Sequence, residues 1–183
     1  MIRQSRLLTV ILLGSAALVV ARPALAGPPL LCHPFEIGAA RSLPMGHDWQ
    51  EIDPSYDPSH LVSDTLAILT PEAPVRVRME TIRRATVYAA RNRTLADALL
   101  SALQDRARHP DPKTAALAVF DFGYLVETYR EGAWALRDKA LPSVDAIDGY
   151  QLVLKAHAMQ GDAQMQEAAN LIQSGLPKKT AVR

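Results

Sequence analysis

GYQLVLKAHAMQGDAQMQEAANLI, residues 149–172, holds the pattern that decides the fold. Together with Ile147 just upstream, Tyr150, Leu154 and His157 recur at threes and fours, which places them on one stripe of a helix. Gly161 can take the left-handed backbone that ends a helix, and Asp162 follows it with a side chain suited to cap the next one. Met165, Ala168, Ala169 and Ile172 then form a second apolar stripe. Two helices joined by so short a turn must lie antiparallel. Upstream, Pro142 and Ser143 set the expected start of this pair, with a helix predicted over Val144 to Gln160 and Ser143 as its cap.

The same reading extends toward the N-terminus. A helix from about Pro112 to Arg130 carries Leu117, Phe120, Phe122, Tyr124, Leu125, Val126 and Tyr129, leaving only a narrow polar strip, so it is predicted to be central. Gly123 in its interior costs about 1 kcal/mol relative to alanine, a cost offset where another helix passes close. After Gly132 a short helix from Ala133 to Leu141 is expected before Pro142 stops it. Pro71 and Pro74 introduce a helix over Val75 to Arg91, with Val75, Met79, Ile82, Thr86, Ala89 and Ala90 facing in and Arg76, Glu80, Arg83, Arg84 and Arg91 on a basic outer side. Thr94 is placed to cap a helix running to His109-Pro110, and a short first helix covers Leu61 to Leu69.

The predicted class is therefore all-α: antiparallel helix pairs at 75–108, 112–141 and 144–174, within a helical domain of residues 61–176 and ahead of a polar tail at 177–183. The pairs begin near 75, 112 and 144, at intervals of 37 and 32 residues, the spacing of an α-solenoid or a bundle of two-helix repeats. On its Tyr150, its Gly161-Asp162 turn and its Ala168, the stretch 149–172 resembles a tetratricopeptide unit; the pair that begins at GYLVETYREGAWAL, from Gly123, matches less closely. The resemblance implies a binding scaffold. It carries no activity with it.

Residues 1–26 have the order of a cleavable secretory signal peptide. Arg3 and Arg6 precede an apolar run from Leu7 to Ala21, and Ala24-Leu25-Ala26 forms the small-residue cleavage site. The run is shorter than the roughly 20 residues a stable span needs, so no integral membrane span is expected after cleavage. From Gly27 to His60 the chain is dense in proline and glycine, yet Leu30, Leu31, Phe35, Ile37, Leu43, Trp49 and Ile52 are too apolar for a free linker. An irregular arm packed across the domain is predicted there. Its segment LCHPFEIGAARSLP, residues 31–44, is similar to stretches of uncharacterised exported bacterial proteins.

Removing Arg3, Arg6 and Arg22 from the 20 basic residues leaves 17 against 19 acids, a mature net charge of −2. Such a balance offers nucleic acid no general attraction. The single cysteine, Cys32, cannot form an internal disulfide in an oxidising compartment. With His33 and His47 it has the donor types of a transition-metal site, although no CxxC or HxxxH spacing accompanies it. Asp121, on the most apolar helix, is a candidate general base or the partner of an arginine on the helix at 75–91. Six arginines lie between Arg76 and Arg93 against one acid, Glu80. Of these, Arg76, Arg83, Arg84 and Arg91 could hold an anionic ligand or an acidic partner, or else form a solvated face that neutralises Glu51, Asp53 and Asp57 of the arm. No catalytic constellation stands out and no cofactor is predicted beyond a transition metal. The expected function is noncatalytic binding of a protein or peptide in the cell envelope, periplasmic or secreted. The alternative is a metal-binding or redox-active protein using Cys32 and His33.

Overall fold

A computed structural model describes residues 29–136 and 140–175. The predicted signal peptide at 1–26 and the tail at 177–183 lie outside the described residues. Every regular element within them is helical: a 3-10 turn at Pro58–His60, then α1 (Leu61–Ile68), α2 (Val75–Ala89), α3 (Arg93–Arg108), α4 (Ala115–Ala135), α5 (Gly149–Gln160) and α6 (Ala163–Gly175). The all-α class is as predicted. None of these helices is long and apolar enough to cross a membrane.

The α5–α6 turn follows its local chemistry. Gly161 has φ 72° and its N–H reaches His157 O, while Asp162 Oδ1 accepts from the amides of Gln164 at 2.7 Å and Met165 at 3.3 Å. Met165, Ala168, Ala169 and Ile172 are buried. The start of α5 differs from expectation. Ser143 bonds its neighbour Asp145 in a turn, and the cap is Asp148, which accepts from Gln151 N at 2.9 Å. Similarly, Asn92 rather than Thr94 caps α3, accepting from Leu95 N.

Helix α4 is the axis of the molecule and packs against α2, α3, α5 and α6. Gly123 sits where α5 crosses it. A Cβ there would stand 2.7 Å from Leu152 Cβ and 2.8 Å from Gly149 O, and one on Gly149 would stand 2.5 Å from Gly123 O. Paired glycines thus set the closest helix approach. Gly132, read from sequence as a helix stop, is interior to α4; its missing side chain admits Leu141, whose Cδ1 would lie 2.8 Å from a Cβ. The helix expected at Ala133–Leu141 is corrected accordingly: its first residues belong to α4, and 137–139 lie outside the described residues. The middle of the three pairs is one long helix.

Helix α2 departs furthest from expectation. It is buried nearly all round, with Arg78 and Glu80 at 0% exposure and Arg83 at 2%. Arg78 faces Asp121 of α4, while Glu80 and Arg83 are covered by the arm, which lies across the face predicted to be outer. Leu31 and Leu43, whose carbonyls accept from Arg83 and Arg84, are fully buried there, each contributing roughly 1.5–3 kcal/mol. Tyr88 of α2 fixes the arm further along, donating to Pro44 O at 2.9 Å and accepting from Asp53 N at 3.1 Å. The edge-on ring of Tyr56 packs against it at 4.9 Å.

Candidate functional site

The predicted arginine site is not one surface. Arg83 grips Glu80 through Nε at 2.8 Å and Nη2 at 2.9 Å, and its Nη1 donates to Leu31 O and Trp49 O, each at 3.1 Å. Arg84 bonds Glu80 at 2.6 Å and also donates to Leu43 O; Arg91 reaches Gln50 O at 3.2 Å. Glu80 additionally accepts from Phe35 N at 3.0 Å. Burial pushes the Glu80 carboxyl up, but Arg83 and Arg84 outweigh it and hold the group below its usual range. Arg76, by contrast, pairs with Glu167 and joins α2 to α6. Three of the four predicted anion-binding arginines therefore latch the arm, mainly through its backbone carbonyls. The suggested neutralisation of Glu51, Asp53 and Asp57 is corrected: none of these acids pairs with an arginine in the described structure. Periodicity marked the face as polar, but a polar face can be covered by a distant segment as well as by water.

Asp121 is placed as the ion-pair alternative had it. Its Oδ2 lies 2.6 Å from Arg78 Nη1, and both side chains are 1% exposed. Arg78 also donates to Thr70 O and Ala73 O, closing the turn before α2. Burial pushes the Asp121 carboxyl up and Arg78 opposes it. The pair is sealed within the α2–α4 interface.

The candidate metal ligands are scattered in character. Cys32 is half-buried, and burial, followed by the nearby Glu131 carboxylate, pushes its thiol up. His33 has a buried Nε2 with no hydrogen-bond partner among the described residues, whereas His47 is exposed and its backbone N–H serves a local turn on Glu51. No group of three or more histidine, cysteine, aspartate and glutamate side chains converges among the described residues.

What the structure does assemble is a cavity of about 340 Å³ between the arm, the end of α4 and the end of α6. It is lined by Leu30 from the arm, by Glu127, Arg130, Glu131 and Trp134 from α4, and by Ile172 and Gly175 from α6. Two polar groups of this lining are already held by the fold. Arg130 pairs with Glu127 and donates to Ile147 O at 2.6 Å and Val144 O at 3.3 Å, clamping the loop before α5, while Glu127 accepts from Tyr150 N at 2.9 Å. Glu131 behaves differently. Its Oε1 accepts from both Leu30 N and Leu31 N at 2.9 Å, and no cation pairs with it among the described residues. Burial is the main reason its carboxyl is pushed up to about 7, with Glu127 adding to it and the two amides opposing. Trp134 stands at the mouth, 61% exposed.

Sequence reasoning missed Trp134 because the helix was ended at Arg130. Continuing the α4 stripe one further turn would have put Glu131 and Trp134 on it. Comparison with protein-family models, with curated proteins and with solved structures finds no match.

Proposed function

We propose that this chain is exported and acts as a noncatalytic binding module, receiving an apolar side chain of a protein or peptide partner of the cell envelope in the cavity between the arm, α4 and α6. The observation that carries this reading is Trp134. A tryptophan 61% exposed beside the buried Leu30 and Ile172 at the mouth of a cavity is an unfilled hydrophobic contact, and aromatic anchors of this kind dominate binding energies at protein interfaces. The cavity lies at the lower end of the size range of ligand pockets. Its walls are set by α4 and α6 together with the arm, and its one charged clamp, Arg130, is engaged within the fold.

Tryptophan emission tests the proposal directly. Trp49, in the arm, is replaced by phenylalanine so that Trp134 alone reports, and the protein is titrated with peptides tiling envelope proteins. Saturable binding is expected for apolar segments. In a titration read instead by the anisotropy of a labelled peptide, Trp134→Ala should weaken binding about 30-fold, the equivalent of a 2 kcal/mol anchor, while altering unfolding stability by less than about 0.5 kcal/mol, as for an exposed position. Equal binding by Trp134→Ala would refute the proposed site.

A further inference from the structure

We infer that Arg83 is a positioning residue of the proposed binding cavity, acting through Leu31 to hold the Leu30 wall in place, so that the buried Glu80–Arg83 latch and occupancy of the cavity form one coupled equilibrium. The inference rests on the binding reading of that cavity and adds its control. Leu30 lines the cavity and is 2% exposed, whereas neither Arg83 nor Glu80 is among the lining residues. The two places meet in a single residue of the arm. Leu31 donates its N–H to Glu131 Oε1 at 2.9 Å, beside the equal bond from Leu30, and its carbonyl accepts from Arg83 Nη1 at 3.1 Å. Four residues on, Phe35 N donates at 3.0 Å to Glu80 Oε2, the oxygen that also accepts from Arg83 Nε at 2.8 Å. Between these points Pro34 has a fixed φ and restricts His33 before it. The segment from Leu31 to Phe35 thus has few torsions with which to yield at one fastening and stay at the other.

The helices beneath cannot take up the slack. On either side of Arg83 along α2, Arg78 is paired with Asp121 at 2.6 Å and the Thr86 hydroxyl meets that of Thr128 at 2.9 Å, which pins α2 to α4. The arm, with no helix before the turn at Pro58, is the part able to move. Two states follow. With the latch closed, Leu30 forms the cavity wall opposite α4 and α6; with it open, Leu30 withdraws and an occupant loses the apolar surface on that side. An occupant that touches Leu30 therefore binds the closed state better. By linkage, it closes the latch by the same factor that closure improves its binding.

The test uses Arg83→Met, which removes the donors to Leu31 O and Trp49 O while Glu80 keeps Arg84 and the Phe35 amide. The probe is the labelled envelope peptide whose binding Trp134→Ala weakens. Arg83→Met should bind it about tenfold more weakly, a usual size for coupling between two sites, and its Leu30 and Leu31 amides should exchange faster although their acceptor is unchanged. Arg78→Met, which disturbs the α2–α4 interface but no contact of the arm, should keep the affinity of the unsubstituted protein. Should Arg83→Met fail to fold, amide exchange in the unsubstituted protein decides alone. Saturating peptide should slow the Phe35 amide, remote from the cavity on Glu80, and leave unchanged that of Asp53, held on Tyr88 further along the arm. Equal peptide affinity in Arg83→Met and the unsubstituted protein, equal weakening by Arg78→Met, or a Phe35 rate that moves no more than that of Asp53 would overturn the inference. Those results leave the cavity as a binding site; the absence of any peptide whose binding depends on Trp134 would remove that reading, and the control with it.

Discussion

Glu80→Ala is expected to cost about 3–5 kcal/mol of unfolding free energy, the scale of breaking a buried ion pair from one side, and to free the arm. Glu80 is fully buried and accepts from Arg83, Arg84 and Phe35 N together. Its removal leaves the Arg83 guanidinium, 2% exposed, with carbonyl partners but no countercharge. Denaturant titration measures the loss. Limited proteolysis should show new cleavage within residues 31–49, which the intact latch protects. The linkage has a definite sign. Because the folded Glu80 carboxyl lies below its ordinary 4.5, the latch contributes fully above that pH and is lost as pH falls through the lower folded value. Acid should therefore loosen the arm of the unsubstituted protein in the way the substitution does at neutral pH.

Arg78→Met is expected to be comparably severe, at about 3–5 kcal/mol, because it strands Asp121 at 1% exposure, its Oδ1 already without a partner among the described residues. The double substitution with Asp121→Leu separates two contributions. Replacing a whole buried pair by apolar side chains is often close to neutral, so the second change should recover much of the loss. Recovery should stop short of completion, since Thr70 O and Ala73 O also lose the donor that closes the turn before α2. A double-mutant cycle in denaturant gives the coupling energy; strictly additive losses would show that the two groups do not act as a pair.

The features legible in the sequence are those decided by neighbours. The Gly161-Asp162 turn, the apolar stripe of α6 and the centrality of α4 depend on residues within one or two turns of each other. The close helix approach at Gly123 also announces itself, because a glycine inside so apolar a helix has few other uses. Gly132 shows the limit of that reasoning. Its role is the same, admitting Leu141 against α4, but ahead of a short alanine-rich stretch it reads equally well as a stop. That misreading hid Glu131 and Trp134 together. The arginine face failed for another reason. Helical periodicity identifies Arg83 and Glu80 as polar neighbours, while their burial depends on backbone carbonyls some 30 to 50 residues away in an arm with no period of its own. Within the candidate site, the role of Glu131 appears only when the arm's amides are seen to end on it.

The arm emerges as a wall of the cavity, fastened at one place by the Glu80 cluster and at another by Glu131. Amide hydrogen exchange of the protein beginning at Gly27 tests this most directly. Leu30, Leu31 and Phe35 should exchange as slowly as amides of the α4 interior, since their acceptors are buried carboxylates, and Leu30 and Leu31 should lose that protection together in Glu131→Ala. Exchange of these three amides at the rate of an unstructured peptide, in a protein whose α4 remains protected, would contradict it.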